Sequence, residues 1–336
     1  MTAAERRVLV ARLDNMGDVL LTGPAVRAVA AGAEVVYLTS PQGRAAAELL
    51  PGVHRILTHH CEWIDATPPP VEGTIVAGLV STLRRQRLSD ACIFTSSHQS
   101  PLPLALLLRL AGVGSITAIS HDYAGTLLDR RIPGDPDVHE VERNLSVVAA
   151  AGFPLPDGDG GELRVTHRPP SGFGGYVVVH PGASVPARTL TPDRWRAVVA
   201  DLAAGGRRVV VTGEQRDREL AEAVAGDDAL IRTGLALGEL ATLLAGAQTV
   251  VVGNTGPAHL AAAVGVPVVE VFAPTVPAER WRPWGVPSVL LGHQTIACAG
   301  CRHRSCPLPS QPCLADIAAA DVVAAVDNLA PLAAVR

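Results

Sequence analysis

Short runs of β-branched and aliphatic residues alternate with longer amphipathic segments along almost the whole chain. Each short run ends in a turn rich in Gly, Asp, Asn or Ser, and the segment that follows has apolar residues spaced for one face of a helix. This alternation of strand and helix is typical of parallel sheets with helices packed on both faces. The pattern therefore predicts an α/β protein.

The boundaries of the predicted elements follow from these runs and from Gly and Pro at their ends. In the first half the pattern predicts strands at 7–13, 34–39, 53–58 and 91–95, a helix beginning near Val19, and helices at 42–50, 76–87, 102–111 and 138–152. In the second half it predicts strands at 176–179, 208–212, 230–231, 250–252 and 268–272, and helices at 191–204, 216–224, 237–245, 257–264 and 315–328.

Residues 153–175 interrupt this alternation with a stretch dense in Gly, Pro and Asp, which predicts a linker. We therefore expect two Rossmann-like domains, 1–155 and 172–314, with a cleft at the carboxyl ends of both sheets. The C-terminal segment 315–336 is expected to pack back on the first domain. A flexible linker would also let the two domains close over their substrates.

A chain of 336 residues is long enough for two cores. No apolar run reaches the roughly 20 residues of a membrane helix without an interruption by Arg, Gly or Pro. Because Met1–Arg7 leads directly into a strand, the sequence indicates no signal peptide and a cytoplasmic location. Peripheral contact with a membrane is left open.

The charged residues comprise 28 basic and 32 acidic side chains, and every basic one is Arg. A lysine Schiff base and a P-loop lysine are therefore excluded. The net charge of −4 gives no sign of nucleic-acid binding. Anionic small molecules remain possible ligands, because arginines cluster locally.

The stretch TVVVGNTGPAHLAAAVGVP, residues 249–267, combines a buried-type strand, a polar turn and a helix with Pro in its first turn. The N–H groups at such a helix start carry partial positive charge and attract phosphate. The candidate groups for a phosphate here are Asn254, Thr255, Gly256, Pro257 and His259. The alternative is a plain strand-to-helix turn in which Asn or Thr caps the helix.

Two more polar turns follow strands of the second half, at residues 180–184 and 212–214. Together the three turns predict a nucleotide lying across this domain, with phosphates near Arg188 and Ser184 and ribose hydroxyls near Gly213 and Glu214. Taken alone, Arg188 fits a solvated loop arginine better than a phosphate ligand. No G-x-G-x-x-G motif follows the first strand, which disfavours a dinucleotide site.

In the first half, Asp18 follows Gly17 at the start of a helix. It is either a carboxylate stabilised by the helix dipole or a general base that takes a proton from an acceptor hydroxyl. The candidate acceptor-binding residues are Asn15, Met16, Gly17 and His98.

Four of the six cysteines form a C-x2-C-x4-C-x6-C pattern in a stretch rich in Pro, Arg and His. They are Cys298, Cys301, Cys306 and Cys313. In a cytosolic protein this spacing favours a structural zinc site over a disulfide framework. The alternative is a loop with reduced thiols.

Several segments resemble the bacterial ADP-heptose heptosyltransferases, glycosyltransferase family 9. They are RLDNMGDVLLTGPAVRAV from Arg12, HEVERNL from His139, HPGASVPARTLTPDRW from His180, VVVGNTGPAHLAAAVGVPVVEVFAPT from Val250, and the cysteine pattern followed by LADI. The resemblance spans nearly the whole chain, and the segments occur in the family's order.

The resemblance implies a GT-B fold that binds an ADP-sugar in the C-terminal domain and an acceptor in the N-terminal domain. It also implies an inverting, metal-independent transfer of heptose or a related sugar, with Asp18 at the position of the family's catalytic base. Arg188 matches the phosphate-binding cation, which is usually Lys, and the segment from Thr255 to His259 matches the diphosphate turn. The acceptor would be a glycan such as lipopolysaccharide, a lipid-linked glycan or a small molecule such as a natural product.

The chain departs from the family pattern at three positions: Arg188 replaces Lys, Leu190 replaces an aromatic residue and Asn254 replaces an acid. Arginines 6, 7, 12, 84, 85 and 87 are candidates for a basic acceptor surface. Two other functions fit the same architecture, namely a non-catalytic nucleotide-sugar-binding protein and a nucleotide-sugar epimerase.

Overall fold

The computed structural model describes residues 6–65, 67–135, 137–170 and 174–331. The chain divides into two compact units, the first ending at Arg164 and the second beginning at Val165. None of the described helices is both long and apolar enough to span a membrane.

The first unit is built on a parallel sheet whose strands are β1 (Arg7–Arg12), β2 (Glu34–Thr39), β3 (Val53–Thr58), β4 (Asp90–Ile93), β5 (Ser115–Ile119) and β6 (Arg130–Ile132). Its helices are α1 (Met16–Leu20), α2 (Gly23–Ala30), α3 (Arg44–Leu49), α4 (Gly73–Arg85), α5 (Leu102–Ala111) and α6 (Glu140–Ala150). The strand order is β3-β2-β1-β4-β5-β6, so the order reverses between β1 and β4.

The strands of the second unit are β7 (Tyr176–His180), β8 (Val209–Gly213), β9 (Leu230–Thr233), β10 (Ala247–Gly253), β11 (Val268–Val271) and β12 (Ser288–Leu291). Its helices are α7 (Pro192–Ala204), α8 (Arg218–Ala225), α9 (Leu237–Ala245), α10 (Gly256–Ala263), α11 (Ala278–Trp281) and α12 (Ala319–Leu329). The sheet is again parallel, in the order β12-β11-β10-β7-β8-β9. Its order reverses between β7 and β10, which makes it the counterpart of the first sheet.

The central strands are buried on both faces, which explains their continuous runs of Val and Ala. On one face of the second sheet, alternate residues such as Val179, Val211 and Val269 pack with Trp195 of α7 and Val224 of α8. This core forms because side chains alternate between the two faces of a strand, so each face has its own covering helices.

The structure contains three strands that the sequence pattern did not predict, β5, β6 and β12. β6 has three residues, two of them exposed arginines, and β12 is only half-buried. β6 lacks the apolar run that marks a central strand, and the run in β12 is only three residues long, from Val289 to Leu291. Both strands lie at the edge of a sheet. The first helix also begins earlier than predicted, at Met16, so that Asp18 lies within its first turn.

The last helix, α12, packs on α7 and on β10, β11 and β12 of the second unit. Val322, Ala325 and Val326 belong to the core of that unit. The apolar face of this helix is therefore used within the second unit. Residues 332–336 lie outside the described residues.

The first part of the predicted linker is fastened to the first unit. Both oxygens of Asp159 accept hydrogen bonds from Arg27 of α2, at 2.6 and 2.8 Å, and Arg27 also donates to the carbonyl of Glu162. Leu163 and Val165 are buried. This segment is therefore ordered and is held against α2 by hydrogen bonds.

Candidate functional site

Both sheets place polar turns at the point where the strand order reverses. In the first unit, these turns follow β1 and β4, at residues 13–18 and 94–100. In the second unit, they follow β7 and β10, at residues 181–188 and 254–255. Open α/β sheets bind ligands at the carboxyl ends of the strands at such points. The fold therefore supplies two candidate ligand-binding edges.

At the edge of the first unit, Arg12 is the centre of a buried ion cluster. Its side chain is 1% exposed and lies 2.6 Å from Asp14, 2.8 Å from Asp18 and 3.6 Å from Glu140. One cation is thus shared by three carboxylates. Arg12 therefore cannot belong to a basic acceptor surface, and that expectation is wrong, because the last residue of β1 points into this cluster.

Asp18 is the carboxylate of the cluster with the most perturbed acidity. The pKa of Asp18 is raised to about 7, chiefly by burial and in smaller part by the nearby Asp14 and Glu140, while Arg12 acts to lower it. Its side chain keeps 18% of its surface exposed. A carboxyl group with a pKa near neutrality that a substrate can reach suits proton transfer.

Helix α6 contributes Glu140 and Arg143 to the ion cluster, and neither residue was among the site residues predicted from the sequence. A capping box formed by His139 and Glu142 fixes the start of the helix, and Asn144 donates to the carbonyl of Leu21. Glu140 then lies between Arg12 and Arg143, with Arg143 Nε 3.1 Å away. The motif HEVERNL contained this signal, since opposite charges three positions apart lie on one helix face.

The turn after β4 also contacts the ion cluster through hydrogen bonds. Arg12 Nη2 donates to Ser96 Oγ at 2.8 Å, and Gln99 joins the turn to Asp14 through a 2.5 Å hydrogen bond. A cavity of about 230 Å³ opens beside this turn, lined by residues 95–101, 119–122 and Arg143. The predicted acceptor residue His98 is exposed and lines this cavity.

The other predicted acceptor residues lie on the turn between β1 and α1. Asn15 is exposed, Met16 is partly buried and Gly17 is buried. They belong to the same edge of the sheet as Asp18, and none of them lines the cavity.

At the edge of the second unit, the turn after β10 packs closely against the segment that carries Arg188. A Cβ atom at Gly253 would lie 2.6 Å from the carbonyl oxygen of Arg188, so only glycine permits this approach. The Arg188 guanidinium donates to the hydroxyl of Thr275 at 3.1 Å. The structure thus places the backbone of Arg188 against Gly253, the residue that precedes the turn.

Asn254 lies in this turn and is 4% exposed. Its amide nitrogen is buried and has no hydrogen-bond partner among the described residues. Thr255 occupies the N-cap of α10, but its hydroxyl turns back to the carbonyl of Gly253 and does not cap the helix. A buried amide donor beside an uncapped helix start can bind an oxygen-rich anion.

The remaining predicted residues of the second unit differ in exposure. Pro257 and His259 are buried in α10, Gly256 is partly buried, and Ser184 is exposed. Gly213 ends β8, and the neighbouring Glu214 is 65% exposed and pairs with Arg216 at 3.0 Å. The Glu214 carboxylate is therefore exposed to solvent.

Two buried titratable groups, His180 and Glu270, lie on strands of the second sheet. Burial lowers the pKa of His180 to about 4, so the ring is neutral at neutral pH, and its Nδ1 lies 3.0 Å from the Thr212 hydroxyl. Glu270 of β11 is completely buried, and neither of its carboxylate oxygens has a partner among the described residues. Burial raises the pKa of Glu270 well above its usual range.

The four clustered cysteines do not form a metal site among the described residues, which hold no group of three or more metal ligands. Cys298 and Cys301 are exposed, whereas Cys313 is buried in the core of the second unit. The thiols are free.

Comparisons with known proteins agree on one family. The family described as "Glycosyltransferase family 9 (heptosyltransferase)" matches residues 95–311. Lipopolysaccharide heptosyltransferase 1 of Pseudomonas aeruginosa is 28% identical over 328 residues, which cover 89% of this chain and 87% of that protein. Lipopolysaccharide heptosyltransferase 3 of Escherichia coli is 33% identical over 168 residues, 46% of this chain and 47% of that protein.

Solved structures share the fold. A glycosyltransferase family 9 protein from Veillonella parvula superposes with a TM-score of 0.77 at 17% identity, covering 98% of both chains. The heptosyltransferase WaaC of E. coli, in complex with ADP-2-deoxy-2-fluoro heptose, gives 0.71 at 21% identity, covering 96% of this chain and all of the other. The predicted fold class, α/β of the GT-B type with two Rossmann-like units, is confirmed.

Proposed function

The chain belongs to glycosyltransferase family 9 and is a glycosyltransferase, and we propose that it transfers a heptose or a related sugar from an ADP-sugar to an acceptor hydroxyl. Transfer would invert the anomeric centre and need no metal ion. The observation that carries this proposal is the pair of edges described above. One holds a carboxyl group with a pKa near neutrality, and the other holds a buried amide donor beside an uncapped helix start.

The donor would bind at the edge of the second unit. Arg188, the Asn254 amide and the start of α10 from Thr255 to His259 supply positive charge and hydrogen-bond donors for the diphosphate. Ser184 extends this set, and Gly213 and Glu214 would receive the ribose. Family relatives support an ADP-sugar, since WaaC has been crystallised with ADP and with an ADP-heptose analogue.

The acceptor would bind at the edge of the first unit, near residues 15–17 and His98. Asp18 takes the proton of the acceptor hydroxyl, and the hydroxyl oxygen attacks the anomeric carbon of the donor. The bond from that carbon to the diphosphate oxygen breaks, and ADP leaves with the electron pair. Attack from the face opposite the leaving group inverts the anomeric configuration.

The groups at the second edge stabilise the leaving diphosphate because negative charge grows on it during bond breaking. A guanidinium, an amide donor and a helix N-terminus can share this task without a metal ion. Arg188 also suits it geometrically, since guanidinium binds phosphate oxygens in a forked manner.

The direct test measures binding of ADP-heptose, ADP-glucose and UDP-sugars by calorimetry, and then ADP release in the presence of acceptors. We expect ADP-sugars to bind and Asp18→Asn to bind them equally well while kcat falls about 10²–10⁴-fold. The matched control is Asp157→Asn, which removes the same charge from an exposed residue of the same unit. Failure to bind any ADP-sugar would refute the donor assignment.

A further inference from the structure

The loop of residues 300–311, between β12 and α12, binds two segments of the second unit that meet at Arg188. Within this loop, Arg302 donates its backbone N–H to the carbonyl oxygen of Thr275 at 3.0 Å. Thr275 is 3% exposed, and its hydroxyl accepts the hydrogen bond from Arg188 Nε at 3.1 Å. The loop therefore holds in place the residue that binds the Arg188 guanidinium.

The same loop also binds the backbone of the residue before Arg188. Ala187 is buried, donates its N–H to the carbonyl of Arg304 at 3.0 Å and accepts a 2.9 Å hydrogen bond from the Gln311 side-chain amide. Arg304 Nη2 also donates to the carbonyl of Ser184 at 3.2 Å. Both polar backbone groups of Ala187 are thus bound by this one loop.

The residue after Arg188 is held by hydrogen bonds as well. Trp195 of α7 is completely buried, and its indole N–H donates to the Thr189 hydroxyl at 2.8 Å. That hydroxyl lies 2.8 Å from the carbonyl oxygen of Pro181 and donates to it. The residues on both sides of Arg188 are therefore fixed, and its own carbonyl lies close against Gly253.

Two residues of the 300–311 loop have a backbone conformation that is uncommon for their type. Among the described residues, three that are not glycine have a positive φ, and Arg302 (54°) and Gln311 (45°) are two of them. Such residues persist where the surrounding contacts determine their conformation, and they cluster at functional sites. Both of these residues form hydrogen bonds to the segments that hold Arg188. The conformation of the loop is therefore tied to these contacts.

The Thr275 hydroxyl suits an arginine at position 188 and not a lysine. A guanidinium carries an N–H at Nε in addition to its terminal nitrogens, whereas the donors of lysine all lie on one terminal nitrogen. A hydrogen bond to Nε fixes the direction in which the guanidinium plane faces. Phosphate oxygens bind a guanidinium in its plane, so an orientation that is set in advance lowers the entropy cost of binding them.

We propose that Thr275 and Gln311 are positioning residues for Arg188, and that they orient its guanidinium for the diphosphate before the donor binds. Thr275 acts on the guanidinium, and Gln311 acts on the backbone that carries it. This inference rests on the proposed function, in which Arg188 binds the diphosphate of the ADP-sugar.

The main test is a double-mutant cycle in which calorimetry measures the Kd for ADP. Thr275→Val keeps the shape of the side chain and removes the hydroxyl, and we expect the Kd to rise about three- to tenfold. In Arg188→Met the same change should leave the Kd unchanged within about twofold, because the guanidinium that Thr275 orients is absent. A general structural defect would raise the Kd by the same factor in both backgrounds, and that result would overturn the proposal.

Two further variants test whether the Thr275 hydroxyl itself is responsible. Thr275→Ser keeps the hydroxyl and should bind ADP within about twofold of wild type. The matched control is Thr249→Val, since Thr249 is completely buried in the same unit and its hydroxyl has no hydrogen-bond partner among the described residues. This control should leave the Kd unchanged. An increase as large as that of Thr275→Val would contradict a specific role for Thr275.

The contribution of Gln311 is tested in the same way. Gln311→Met removes the amide that binds Ala187, and we expect the Kd for ADP to rise about two- to fivefold, again only when Arg188 is present. The control is Gln248→Met, because Gln248 is exposed and lies near the beginning of β10. Unchanged ADP affinity in Gln311→Met would overturn its assignment as a positioning residue.

The Arg188→Met variant separates failure of this inference from failure of the proposed function. If wild type does not bind ADP, or Arg188→Met binds it equally well, the assignment of the diphosphate to Arg188 is wrong. If Arg188→Met loses affinity while Thr275→Val and Gln311→Met do not, the donor site stands and only the positioning role is wrong.

Discussion

Arg12 Nη2 lies 2.8 Å from Asp18 Oδ1, yet the pKa of Asp18 is raised to about 7. A neighbouring cation ordinarily lowers the pKa of a carboxyl group. Here the effect of burial on the pKa is larger than the effect of Arg12, because Arg12 also pairs with Asp14 and Glu140. The result is a carboxyl group that is ionised about half of the time at neutral pH and still held in one position by an ion pair.

This acidity predicts the pH dependence of the reaction. A base is active when deprotonated, so kcat/KM should be lost as the pH falls through about 7 and level off above it. Below that pH, the rate should fall about tenfold per pH unit. Initial rates of ADP release from about pH 5.5 to pH 8.5 measure this profile, with donor binding followed in parallel. A flat profile would exclude Asp18 as the base.

Arg12 should be essential for stability as well as for activity. Arg12→Met leaves the carboxylates of Asp14, Asp18 and Glu140 without their shared cation, and breaking a buried ion pair from one side costs about 3–5 kcal/mol. We expect the free energy of unfolding in urea to fall by that order. Arg7→Met is the matched control, since Arg7 is 43% exposed and its pair with Glu34 contributes about 1 kcal/mol or less. Similar losses for both variants would contradict a special role for the cluster.

Asn254 should show opposite effects on stability and on binding. Asn254→Leu removes a buried amide that has no partner among the described residues, so the unliganded protein should be equally stable or more stable by about 1–3 kcal/mol. The same change removes a donor to the diphosphate, and ADP-sugar affinity should fall about tenfold. Calorimetry and thermal unfolding of one preparation measure both. A less stable variant with unchanged affinity would show that the amide serves the fold and not the ligand.

Glu270 should make the protein less stable as the pH rises. Its folded-state pKa lies above the value of 4.5 expected when exposed, so the folded state holds a proton that the unfolded state releases. The contribution of Glu270 to the free energy of unfolding is therefore highest below about pH 4.5. Above that pH it declines by up to about 1.4 kcal/mol per pH unit, until the folded-state pKa is reached.

Glu270→Gln removes this dependence and should raise the free energy of unfolding at pH 7 by about 1 kcal/mol or more. The exposed Glu279→Gln is the control and should change it by about 0.5 kcal/mol at most. Urea unfolding at pH 5 and pH 8 separates the two variants. If Glu270→Gln is less stable at both, the carboxyl group has a structural partner.

The sequence predicted most of the fold because each strand and helix carries its own local pattern. It missed β5, β6 and β12, which are only three to five residues long. Asp18, Arg188 and Asn254 could be selected because each follows a strand that ends at the reversal of the sheet order. The buried ion cluster of Arg12, Glu140 and Arg143 could not be predicted in this way, because it joins residues that are far apart in the chain. An arginine that ends a buried strand has the same local sequence whether it faces solvent or three carboxylates.

The partial exposure of Asp18 determines how the enzyme would reset after each turnover. As the proposed base, Asp18 gains a proton when the acceptor oxygen forms its new bond, and that proton must leave before the next cycle. The 18% of its side chain that reaches the surface gives water a direct route to the carboxyl group. The proton can therefore pass to bulk solvent without a relay of further side chains, and recovery of the base need not limit the rate.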